Sequence, residues 1–205
     1  MEKALFPAFL KLQGRRVVVV GGGPVAASKL ASLRAAGADL AVVAPEVCEA
    51  IRLAGVAIRQ KAYESSDLDG AWFVVAAAPP EVNRQVAQDA ERRQLFVNAV
   101  DDPANASVYL GGVVRRDGVT VAISTDGAAP ALAGLLREAL DFMLPGDLAV
   151  WNARARELRA SWRERGVPMA ARRPELLQAL NALYDARSNA RVSVTPDTRQ
   201  PELVK

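Results

Sequence analysis

Apolar side chains fall in short runs through the first hundred positions of the chain, and mixed stretches with helical spacing separate them. "RRVVVVGG" is the first run, "ADLAVVAP" the second, "AWFVVAAAPP" the fourth and "LFVNAV" the fifth. A weaker third, "VAIRQKAY", reads as extended chain. Runs that do not alternate apolar with polar must be buried on both faces, as in a parallel sheet covered by helices on each side. The stretches between them supply those helices. "PVAASKLASLRAAG" ends at Gly37, "CEAIRLAG" is short, and "PEVNRQVAQDAERRQ" opens on a proline whose missing N–H costs nothing there. The pattern predicts a doubly wound α/β domain with a Rossmann-like parallel sheet.

Near residue 112 the rhythm changes. "SVYLGGVVRRDGVTVAIST" holds two short strands across an Asp-Gly turn signal, and "APALAGLLREALDFMLP" is an amphipathic helix between Pro130 and Pro145. "LAVWNARARELRASWRERG" and "PELLQALNALYDARS" read as two more helices, the second starting at Pro174, and a loose polar tail follows from about Val192. The expected division is residues 1–112, a small α+β segment over 113–145, and a helical domain over 146–205.

Composition narrows the chemistry. The chain of 205 residues has no histidine and one cysteine, Cys48, so a Cys/His zinc site and an internal disulfide are both excluded within one chain, and no metal site is expected. No apolar run reaches the roughly 20 residues needed to span a bilayer, and the N-terminus lacks the features of a secretory signal. A cytoplasmic location is expected. The net charge of +3 is uneven: residues 146–205 hold 11 Lys and Arg against 7 Asp and Glu. Seven arginines lie within 151–173, which is either a solvated helix face or a surface that attracts anions. Sparse aromatics and the lack of a nucleic-acid motif argue against nucleic acid as a partner.

The most specific local signal is Gly21-Gly22-Gly23-Pro24-Val25-Ala26, which fits G-x-G-x-x-A directly between a strand and a helix. Gly21 permits the tight turn, Gly23 lets a pyrophosphate approach the main chain, and the small Ala26 lets helix and strand pack closely. The helix N-terminus then faces the phosphates. The alternative is a tight turn with no ligand. The carboxylate usually found after the second strand is missing from "VVAPE" until Glu46, so Ala44, Pro45 and Glu46 are the candidates for the adenosine side; Ala77 and Ala78, after the fourth strand, are further cofactor-binding candidates. No arginine follows closely enough to clamp a 2′-phosphate, which favours NAD over NADP. Asp101 and Asp102 follow the fifth strand, where ligands sit in such sheets; they read as a general base or as an Asx turn before Pro103. Ser124 and Thr125 precede a helix and either bind an anion or cap.

In this order the motifs resemble one family. "VVVVGGGPVAASKL", "AAAPPEVN", "FVNAVDDP" and "VAISTDGAAPALAGLLREALDFMLP" are similar to precorrin-2 dehydrogenase, including the dehydrogenase–ferrochelatase part of siroheme synthase, over residues 5 to about 145. The resemblance implies NAD-dependent oxidation of precorrin-2 to sirohydrochlorin, a homodimer formed through the segment after the Rossmann domain, and Asp101 as the acid–base residue. Asp102, Ser124 and Thr125 would contact the tetrapyrrole, whose carboxylates would suit the arginines. Fe2+ insertion, which some members perform, is left open. Ala78-Pro79-Pro80, Gly111-Gly112 and Asp126 depart from the family pattern, the glycine pair being expected to loosen a loop. The competing functional class is a non-catalytic NAD-binding regulatory module.

Overall fold

A computed structural model describes residues 4–192. The chain divides into two compact units, Met1–Gly112 with Ala122–Arg137, and Val113–Val121 with Glu138–Lys205.

The first unit is built on five parallel strands: β1 (Arg16–Val20), β2 (Asp39–Val43), β3 (Ala57–Arg59), β4 (Phe73–Ala76) and β5 (Phe96–Ala99), in the spatial order β3-β2-β1-β4-β5. Helices α1 (Pro24–Ala35), α2 (Glu49–Arg52) and α3 (Pro80–Arg92) connect them. The valine run is explained by the pleat. Val17 and Val19 enter one apolar cluster with Leu30, Leu33, Val42 and Phe73, while Val18 and Val20 enter a second with Val43, Val74, Val86 and Val97. Successive side chains point to opposite faces, and each face meets a helix, so no polar residue fits between them.

Helix α1 stops as its sequence directs. Gly37 takes a left-handed φ of 76°, the Ala38 N–H reaches Leu33 O, and the Gly37 N–H reaches Arg34 O, the paired bonds of a Schellman ending. The order of the strands turns back on itself between β1 and β4, and the carboxyl edge at such a switch point is where ligands bind in doubly wound sheets.

In the second part of the chain β6 (Gly112–Arg116) and β7 (Val119–Ile123) form a hairpin. Its Asp117-Gly118 turn has φ of 50° and 80°, both left-handed as a type I′ turn requires. Helices α4 (Pro130–Met143), α5 (Leu148–Glu164) and α6 (Met169–Val192) follow, the unit boundary falling inside α4. Asn152 Nδ2 donates to Asp117 O at 2.7 Å, and Arg116 donates to Leu144 O and Asp141. Helix α6 begins at Met169, five residues before the proline expected to start it. Pro174 lacks one N–H close to the helix start, and the turn around it is held by other means: the Trp162 indole N–H and Arg165 both donate to Glu175. The tail expected beyond Val192 lies outside the described residues.

Gly111 and Gly112 do not loosen their loop. A β-carbon on Gly111 would stand 1.8 Å from Ile123 O, and one on Gly112 2.9 Å from Ala133 O, so these glycines let two stretches of main chain meet.

Candidate functional site

The ends of β1, β4 and β5 are aligned, with Val20 in register with Ala76 and Ala76 with Ala99. Main-chain bonds carry the alignment one residue further: Gly21 N–H to Val43 O, Ala77 N–H to Val20 O and Val100 N–H to Ala76 O, all 2.8–2.9 Å. The glycine turn, Ala77-Ala78 and the Asp101-Asp102 turn therefore form one row along the carboxyl edge. At the usual strand spacing, Gly21 and Val100 lie about 10 Å apart.

The three glycines have three different reasons. Gly21, buried, has φ of 131°, and a β-carbon there would lie 2.1 Å from Ala77 O, so the turn is pressed against the β4 loop. Gly22 is pressed on its other side, since its β-carbon would lie 1.7 Å from Glu46 O, and its own carbonyl accepts the Cys48 N–H at 2.7 Å. Gly23 has neither constraint. Its φ is −86°, and a β-carbon there would meet nothing within 4 Å. It is the N-cap of α1, a position that favours Ser, Thr, Asp or Asn, yet no side chain caps the helix and Pro24 occupies its first turn. An uncapped helix end with open space over it suits a phosphate. Ala26 is fully buried in the cluster beside β1, as close helix–strand packing requires. Pro24 and Val25 are exposed at the mouth of the turn.

On the β2 side Ala44 is buried while Pro45 and Glu46 are exposed. Arg59 stands in register with Val43 at the end of β3, a place that sequence spacing does not reveal because α2 separates it from β2. Its guanidinium donates to the buried Asp67 at 3.1 Å.

The paired acids separate in the structure. Asp102 is drawn into its own turn, accepting from Asn105 Nδ2 at 2.7 Å while its carbonyl accepts from Asn105 N–H. Asp101 is exposed and holds a left-handed φ of 56°, a conformation uncommon outside glycine though less so for Asp. Asp102 is thus tied to the Asn105 side chain without capping any main-chain N–H of its turn, while Asp101 stands exposed beside it. Buried Asn98 fastens this turn by donating to Val108 O, and Ser107 Oγ accepts the Val97 N–H.

Thr125 Oγ1 accepts the Ala129 N–H and Ser124 Oγ accepts the Asp126 N–H, so both hydroxyls shape the loop that enters α4. That loop lies against the Asp-Asp-Pro turn: the β-carbon position of Gly127 is 2.7 Å from the Tyr109 ring and 3.5 Å from Pro103. Among the described residues no group of His, Cys, Asp and Glu could hold a metal ion, and no helix is long and apolar enough to cross a membrane.

Residues 8–112 match the NAD_binding_7 family, described as "Putative NAD(P)-binding". The chain is 39% identical over 183 residues to the siroheme synthase of Photorhabdus laumondii, an alignment covering 87% of this chain and 39% of that protein. It is 45% identical over 159 residues to the siroheme synthase of Pseudomonas entomophila, covering 74% of this chain and 34% of that protein. The chain thus matches well under half the length of these relatives. Among solved structures, SirC, a precorrin-2 dehydrogenase, superposes with a TM-score of 0.66 at 26% identity, covering 85% of this chain and 88% of that one.

Proposed function

This chain belongs to the precorrin-2 dehydrogenase and sirohydrochlorin ferrochelatase family and carries an NAD(P)-binding domain, and from that premise we propose that it oxidises precorrin-2 to sirohydrochlorin with NAD+ in siroheme synthesis. The observation that carries this reading is the open, uncapped start of α1 at Gly23, on the carboxyl edge where the strand order turns back between β1 and β4.

Gly21, Gly22 and Gly23 shape the diphosphate seat, and Val25 and Ala26 offer it their N–H groups. Pro24 supplies the turn without adding a donor of its own. Ala44, Pro45 and Glu46 face the adenosine half, with Glu46 as the acceptor for a ribose hydroxyl, and Ala77 and Ala78 border the nicotinamide half. NAD+ is favoured over NADP+ because Arg59, the cation beside the end of β2, is already committed to Asp67. The bound nicotinamide supplies hydride acceptance. Asp101 takes the accompanying proton on a carboxylate oxygen, so the macrocycle loses one hydride and one proton. Its exposure leaves it free to meet substrate, while Asp102, Ser124 and Thr125 hold the loops around it and line the tetrapyrrole side.

A homodimer, formed through 113–145 between the Rossmann domain and the helical 146–205 region, accounts for the exposed Leu132, Leu135, Leu136, Phe142 and Met143 of α4. A cytoplasmic setting fits the lone Cys48. Asn152, Arg156, Arg159 and Arg163 fall at i, i+4, i+7 and i+11 on one face of α5, and the three arginines are exposed. Such a stripe would draw in a polycarboxylate substrate.

One spectrophotometric experiment tests the proposal. Purified protein is mixed with precorrin-2 and NAD+, followed at the NADH absorbance, and repeated with NADP+ and with Fe2+ as a second substrate. NADH formation is the expected result, and its absence overturns the assignment. A protein-dependent spectral change on adding Fe2+ would assign chelation too. Binding of NAD+ without turnover of precorrin-2 would favour a regulatory module.

A further inference from the structure

Asn83 is one of few polar side chains buried in the first unit, 4% exposed, and it lies one turn into α3. A buried amide within a helix is costly unless it is bonded, so its partner defines its use. The partner is the loop before the helix. Asn83 Oδ1 accepts the Ala78 N–H at 2.9 Å, and the Asn83 N–H donates to Pro79 O at 2.9 Å. The residue holds the loop by both its side chain and its main chain.

Sequence makes that grip necessary. Pro79 and Pro80 have no N–H, so Ala78 carries the last main-chain donor before α3. Pro79, as N-cap, has no side chain able to cap the helix. The Ala77 N–H is already bonded to Val20 O, and the Ala77 carbonyl is the group pressed against Gly21. Fixing Ala78 therefore fixes the surface on which the glycine turn rests.

Resting on the cofactor reading above, we infer that Asn83 is a positioning residue for the dinucleotide: it touches the β4–α3 loop, and through Ala77 that loop sets the shape of the Gly21–Gly23 seat. Removing the acceptor frees the Ala78 N–H, lets Ala77 drift from Gly21 and weakens cofactor binding, with no direct contact between Asn83 and the ligand.

The test is NAD+ binding by titration calorimetry on the full chain, with circular dichroism to check folding. Asn83→Ala should bind NAD+ about tenfold more weakly, the loss expected for one hydrogen bond to a buried donor. Asn83→Asp keeps an oxygen acceptor beside the helix N-terminus and should restore the affinity to within about twofold. Amide hydrogen exchange over 77–83 should rise in Asn83→Ala and not in Asn83→Asp. Wild-type affinity in a folded Asn83→Ala overturns the inference, as does an Asn83→Asp variant that folds and binds as poorly as the alanine variant. Should Asn83→Ala not fold at the assay temperature, Asn83→Ser, which is too short to reach Ala78, takes its place with the same expected result. Wild-type protein that binds neither NAD+ nor NADP+ overturns the functional reading itself, whereas equal binding by all variants overturns only the role of Asn83.

Discussion

Gly22 lies directly beneath the carbonyl of Glu46, so close that a β-carbon on Gly22 would stand 1.7 Å from that oxygen. Its neighbour Gly23 has nothing within 4 Å of the same position. The two glycines are adjacent in one motif, yet the protein's own main chain requires only the first, while Gly23 faces open space.

This contrast makes a paired prediction. Gly22→Ala should destabilise the protein by about 1–3 kcal/mol, because backbone at both sides of the contact must shift. Gly23→Ala should cost no more than about 1 kcal/mol, the difference between Gly and Ala at an N-cap with open space around it. NAD+ affinity should fall at least about tenfold in Gly23→Ala, since the added methyl intrudes on the phosphate seat. Thermal melts and calorimetric titrations of the two variants provide the comparison.

The two aspartates should separate as sharply. Asp101→Asn should lower kcat by about 100-fold or more with NAD+ binding intact, the usual loss for a general base. Asp102→Asn keeps an oxygen for Asn105 and should stay within about fivefold of wild type. Steady-state rates with precorrin-2 read both, and equal losses at the two positions would remove Asp101 from its assigned role.

Acid should unfold the first unit through Asp67. Burial works to raise its pKa, but the Glu64 N–H, Lys61 and Arg59 outweigh burial and hold it below the ordinary value. A group with a depressed native pKa stabilises the fold above its unfolded value, near pH 4, and loses that contribution as pH falls through the native one. Melting temperature should accordingly drop below about pH 4. Asp67→Asn should cost about 1–2 kcal/mol at pH 7, limited by the half-exposed cations, and should flatten the acid limb of the curve.

Replacing Arg156, Arg159 and Arg163 together with glutamine should raise KM for the tetrapyrrole several-fold at low salt, with kcat and the KM for NAD+ unchanged. The difference should fade toward about 0.5 M salt, where such fields are screened. Arg154 is left out because it pairs with Glu157. An unchanged KM at low salt would return the stripe to a merely solvated face.

What was legible in the sequence is what short spacing controls. The valine run announces a strand buried on both faces, Gly37 the end of α1, and Asp117-Gly118 a hairpin turn, because each depends on residues within a few positions of one another. The tight turn at Gly21 and the close packing at Ala26 could be read the same way. The start of α6 could not: local rules place a proline at a helix start, whereas contacts from Trp162 and Arg165 to Glu175 support a helix that already contains Pro174.

Only the tertiary structure distributes roles between like residues. Gly22 owes its identity to Glu46, Gly111 to Ile123 and Arg59's engagement to Asp67, each partner arriving from another part of the chain. Asp101 and Asp102 are alike as letters, and only the fold shows that the turn engages the Asp102 side chain and leaves Asp101 exposed. Asn83 looks like an ordinary helix residue until Ala78 is seen against its side chain. The physical reason is common to all of these. Backbone geometry and hydrophobic period are set by neighbours along the chain, but steric exclusion and hydrogen bonding between loops depend on which strand ends the sheet brings side by side.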